Sequence, residues 1–61
     1  MNVFDAVMVA EGVMDVDTEE KYLEAWQLLV DTGTCWKLQG WFGRTAQALI
    51  EAGHINPGPQ S

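Results

Sequence analysis

Three features of the 61-residue chain predict a small three-helix, all-α domain. Apolar residues recur at helical spacing in three segments. Helix start and stop residues separate the segments. A short link around Gly33 joins the two longest into a helical hairpin, about 18–31 and 35–52, with a short N-terminal helix near 2–11 before it.

In the first helix, Val3, Phe4, Val7 and Met8 form an apolar stripe at i, i+1, i+4 and i+5. Asn2 is placed to cap it, Asp5 sits in its first turn, and Gly12 suits the left-handed residue that ends it. The β-branched Val3, Val7 and Val9 leave a strand as the rival reading. Val13–Val16 alternates apolar and acidic residues, as an extended connector does.

The second helix has the clearest start. Asp17 offers a cap, with Glu20 three residues on, and carboxylates here favour the positive end of the helix dipole. Tyr22, Leu23, Trp26, Leu29 and Val30 make one wide apolar face. Glu20, Glu24, Gln27 and Asp31 line the other side, and no base at i+4 neutralises the acids. Gly33 then takes the turn and Thr34 is placed to cap the third helix.

In the third helix Leu38, Phe42, Ala46 and Leu49 mark the core line, and Gly53 closes it. Lys37, Gly40, Arg44, Gln47 and Glu51 share the far face. The expected core is Phe4, Val7, Met8, Tyr22, Trp26, Leu29, Val30, Leu38, Phe42, Ala46 and Leu49. Residues 1–55 form the single domain, and 56–61, with two prolines and a glycine, read as a flexible tail.

Composition excludes several function classes. Apolar residues make up 48% of the chain and charged ones 20%, with nine acids against three bases and a net charge of −6. No run of 18 apolar residues is present to span a membrane, and no basic start precedes an apolar run as in a secretory signal. A single cysteine, Cys35, forms no internal disulfide and suits a reducing cytoplasm.

No residue stands out as catalytic, cofactor-binding or metal-ligating. Cys35 near a helix start is either a reactive thiol or, more commonly, an apolar filler. His54, the lone histidine, falls beyond the last helix and reads as solvated. Lys37 and Arg44, one heptad apart with Gln47 beside them, admit a DNA-binding helix-turn-helix. Three bases are too few for strong phosphate contact, so nucleic acid is disfavoured as a partner. The plainer reading is that Arg44 pairs with Asp5, Asp15 or Asp31.

The candidate interaction surface is the glycine ridge of the third helix: Trp36, Gly40, Trp41, Gly43 and Arg44. Mid-helix glycine costs about 1 kcal/mol relative to alanine and persists where something approaches the backbone closely. That approach is by the chain's own helices, by a partner helix or second subunit, or else the helix breaks near Gly40. Trp36 and Trp41 lie about 140° apart on an ideal helix, so one of them, Trp36, is expected half exposed as an interface anchor.

The stretches Tyr22–Gln27, Asp31–Gly33, Trp36–Ala46 and Leu49–Gly53 resemble a group of short uncharacterised proteins of tailed bacteriophages. The distinctive piece is Trp36-x-Leu38-Gln39-Gly40-x-Phe42-Gly43-Arg44. The resemblance implies a phage origin and the host cytoplasm as the place of action. It supplies no activity, although small acidic phage proteins are often inhibitors of host or defence proteins. The expected function is therefore a non-catalytic, self-associating protein-interaction module, a homo-oligomer using no cofactor. The alternative is an inhibitor that presents the acidic face Glu20, Glu24 and Asp31 to a host protein by nucleic-acid mimicry.

Overall fold

The computed structural model describes residues 1–58, and the fold is all-helical. Helix α1 runs Val3–Ala10, α2 Glu19–Asp31 and α3 Gly40–Glu51, with a 3-10 turn at Thr34–Trp36 between α2 and α3. The strand reading of the first segment is thereby excluded.

Local chemistry sets the helix ends. Asn2 Oδ1 accepts the Asp5 N–H at 2.8 Å and caps α1 as expected. For α2 the cap is Thr18, not Asp17: Thr18 Oγ1 accepts from the Lys21 N–H at 3.2 Å. Glu19 and Glu20 then occupy the first turn, where the dipole favours them. Gly12, Gly33 and Gly53 follow the three helices with φ of 80°, 75° and 81°. After α1 and α3 the next residue completes the cap: Val13 N–H donates to Met8 O, and His54 N–H to Leu49 O.

The expected single helix over 35–52 is broken. Lys37–Gln39 turn, and Gln39 is extended with ψ of 152°. Two glycines close together weaken helix propagation here. The break also brings Trp36 onto α3. In one continuous helix Trp36 and Gly43 would stand about 10.5 Å apart along the axis. Here a Cβ on Gly43 would lie 3.5 Å from Trp36 Cε3. Thr34 caps nothing. It begins the 3-10 turn, and its hydroxyl lies 2.8 Å from that of Thr32. The Thr32 proton goes to Leu28 O at 2.9 Å, so Thr34 is the donor between the two.

The core is Ala6, Val9, Ala10, Ala25, Trp26, Leu29, Val30, Cys35, Phe42, Ala46 and Ile55. Trp26, Leu29, Val30, Phe42 and Ala46 are buried as expected. Val7, Met8, Tyr22 and Leu49 are only half-buried. Phe4 and Leu38 leave the core altogether, 70% and 37% exposed. For Leu38 the reason is the break, which puts it in a turn. For Phe4 it is the rotation of α1. Seven of the eight residues of α1 are apolar, so hydropathy alone does not orient it. Alanines on α1 and α2 allow these two helices the closest backbone packing in the fold, and Phe4 takes the outer side. Helices α2 and α3 meet through aromatic rings instead, as Trp26 packs on Trp41 and Phe42 at centroid distances of 6.2 and 5.9 Å.

The chain beyond α3 returns to α2. Ile55 is buried, and Asn56 exchanges two hydrogen bonds with the Gln27 side chain. Gly58 lies so close to Val30 that an added Cβ would meet its Cγ1 at 2.9 Å. The flexible tail expected from residue 56, and the domain boundary at 55, are corrected accordingly: the packed unit reaches at least residue 58. Residues 59–61 of that tail lie outside the described residues.

Candidate functional site

Gly43 is the floor of an indole seat. A Cβ added at this position of α3 would meet the six-membered ring of Trp36 at 3.5 and 3.7 Å, ordinary van der Waals contact, so the ring stands over Gly43 with room for about a methyl group between them. Gly40 is the first residue of α3, not a mid-helix glycine, and Arg44 folds back over it: a Cβ there would meet Nη1 at 3.0 Å. The side chains nearest the two glycine positions are therefore the chain's own Trp36 and Arg44, while Gly40 itself is exposed and Gly43 half-buried. Of the three readings of the ridge, approach by the same chain and a break near Gly40 both describe it.

Of the two candidate indoles, Trp41 is half-buried, stacked on Phe42 with centroids 4.0 Å apart and edge-on to Trp26. Trp36 is 39% exposed, with its six-membered ring over the Gly43 position and exposed Lys37 and Leu38 following it in the chain. The large apolar side chains left exposed here are Trp36 and Leu38, at the corner before α3, with Gly40 and Arg44 exposed as well.

Arg44 makes no ion pair with Asp5, Asp15 or Asp31. Lys37 lies in the turn, off α3, so it does not share a helix face with Arg44 and Gln47; Gln47 Nε2 donates to Glu51 Oε2 at 3.2 Å. The stripe of α2 is also not uniformly open. Glu20, Glu24 and Asp31 are all exposed and Gln27 between them is half-buried; Asp31 Oδ1 accepts from Gln27 Nε2 at 3.0 Å and lies beside Gly58. Met1 joins Glu24, Gln27, Leu28 and Asp31 in walling an open groove on this side.

Cys35 is buried, and burial pushes its thiol above the ordinary value, against a smaller lowering by a backbone hydrogen bond. His54 is exposed at the end of α3. Among the described residues no group of three His, Cys, Asp or Glu side chains could hold a metal ion. No helix there is long and apolar enough to cross a membrane.

Two surface features escaped the sequence reading. One is the outer side of α1 and its cap, where Phe4, Val13 and Met14 are exposed. The other is the charge distribution. Residues 1–20 hold Asp5, Glu11, Asp15, Asp17, Glu19 and Glu20 and no base, while in residues 21–61 Lys21, Lys37 and Arg44 balance Glu24, Asp31 and Glu51. The whole net charge of −6 therefore resides in the first third of the chain, a signal available from the sequence by simple position.

Fold and surface together define a small helical domain with a closed core and apolar side chains left at two corners. The chain belongs to a domain family of unknown function, DUF7417, which it matches over residues 3–60. No curated protein and no solved structure matches it.

Proposed function

We propose that the protein is a small acidic, non-catalytic protein-interaction module that self-associates through the Trp36–Leu38 corner. The supporting observation is the exposure of Trp36 and Leu38 on a domain whose core is complete without them. A tryptophan held over the Gly43 position and still partly exposed is a pre-organised anchor. Residues 21–61 carry no net charge, so two copies meeting at this corner experience little repulsion from it. A core of this size, without disulfide or metal, supplies only about 3–5 kcal/mol, and a dimer contact adds to it. Sedimentation velocity tests the reading. A dimer is expected at high micromolar concentration, weakened by Leu38→Ser, and a strict monomer throughout contradicts it.

A second reading draws on the acids. The protein would inhibit a host or defence protein by presenting Glu20, Glu24 and Asp31 to a basic groove. The concentration of charge in residues 1–20 and the exposure of all three acids favour it. A pull-down at two salt concentrations tests it through loss of the partner at high salt. Phage origin and action in the host cytoplasm belong to the same proposal and rest on the resemblance of the Trp36–Arg44 stretch.

A further inference from the structure

We propose that the outer face of α1, from Phe4 through Met8 to Val13 and Met14, is a docking surface for a basic amphipathic helix of a partner protein. The inference rests on the interaction-module reading but uses a different surface from the Trp36 corner.

The face is continuous along the backbone. Phe4 and Met8 stand one helical turn apart on the same side of α1. The cap then folds the following chain over that turn, with the Val13 and Met14 N–H groups both donating to Met8 O, at 3.0 and 3.1 Å. Val13 is 66% exposed and Met14 38%. The core does not need this row, because Ala6, Val9 and Ala10 fill the inner side of α1. Methionine gives such a surface the adaptability to accept a partner's side chains.

Charge selects the occupant. Asp5 adjoins Phe4, Glu11 continues the row past Met8, and Asp15 and Asp17 follow Met14. A second copy docked face to face would oppose these acids with the same acids and no base. An anionic lipid surface would be repelled in the same way. A helix with an apolar stripe flanked by lysine or arginine matches an apolar row flanked by carboxylates, both in contacts and in the steering of encounter.

The test is a titration of the full chain with a synthetic Leu/Lys peptide patterned as an amphipathic helix. Controls are a scrambled peptide of the same composition and a Leu/Glu counterpart. Amide resonances of Phe4, Met8, Val13 and Met14 are expected to shift with the patterned peptide. Phe4→Ala and Val13→Ser, both at exposed positions, are each expected to weaken binding about tenfold. Raising the salt from low to high is expected to weaken it by a similar factor. Equal binding of the scrambled peptide, or indifference to both substitutions, overturns the proposal. So does no binding, or a shift of these resonances with chain concentration alone, the mark of a second copy. If the peptide fails while the chain still dimerises through Trp36, the module reading stands and only the partner assigned to α1 is lost.

Discussion

Gln27 and Asn56 pair as two peptide groups do: the Asn56 N–H donates to Gln27 Oε1 at 2.8 Å, and Gln27 Nε2 donates to Asn56 O at 3.1 Å. The second Nε2 proton is directed to Asp31 at 3.0 Å, so the amide uses both its donors and its acceptor. One side chain thus holds the chain end against α2 and fixes a carboxylate of its own helix. Replacing Gln27 by Ala is expected to cost about 1 kcal/mol, since the freed groups reach water. Gln27→Glu is expected to cost more, because a carboxylate there cannot donate to Asn56 O and repels Asp31 at i+4. Urea unfolding checks both, and faster exchange of the Asn56 amide in either variant marks release of the chain end.

The rotation of α1 makes Phe4 and Ala6 an informative pair. Phe4→Ala is expected to change stability by no more than about 0.5 kcal/mol, as at other exposed positions. Ala6→Leu, at a position with no exposed surface, is expected to destabilise by about 1–3 kcal/mol through overpacking between α1 and α2. Thermal unfolding by circular dichroism ranks the two. The reverse order would place Phe4 inside.

Gly43 permits a graded test of the indole seat. An added Cβ meets Trp36 only at ordinary contact distance, 3.5 Å, while alanine restores helix propensity. Gly43→Ala is expected to be neutral or to stabilise by up to about 1 kcal/mol. Gly43→Leu is expected to displace Trp36, with a red shift of tryptophan emission and a loss of stability.

Cys35 imposes an alkaline limit. The folded state holds the thiol neutral, with its pKa above the ordinary value of 9.0. The unfolded chain therefore releases this proton first as pH rises. Its contribution to stability is complete below the unfolded pKa and is lost as pH climbs toward the folded one. Stability should fall above about pH 9, and Cys35→Ala should remove that part of the fall. Alkylation of Cys35 at neutral pH should be slow in the folded protein and fast in denaturant.

Legibility in the sequence followed the strength of local signals. Asn2 and the three terminal glycines have one favoured role each, and the structure places them in it. Trp26, Leu29 and Val30 lie on an amphipathic helix, so their burial was readable. On α1 nearly every residue is apolar, and small-residue packing, not hydropathy, decided which side turned inward. The break at 37–39 is a tertiary effect. It accompanies the approach of Trp36 to the Gly43 position, a long-range arrangement that helical periodicity does not encode. The glycine ridge was recognised as a place of close approach, but the approaching groups are the chain's own Trp36 and Arg44. Gln27 looked like a member of a solvated stripe, since its partner is 29 residues away.

The central claim is that the Trp36–Leu38 corner is where copies of this protein meet. A dilution series of amide and indole resonances, from high to low micromolar, tests it most directly. The Trp36 indole N–H and the Leu38 amide should move together with concentration while Phe4 stays fixed. Spectra that superimpose at every concentration would contradict it.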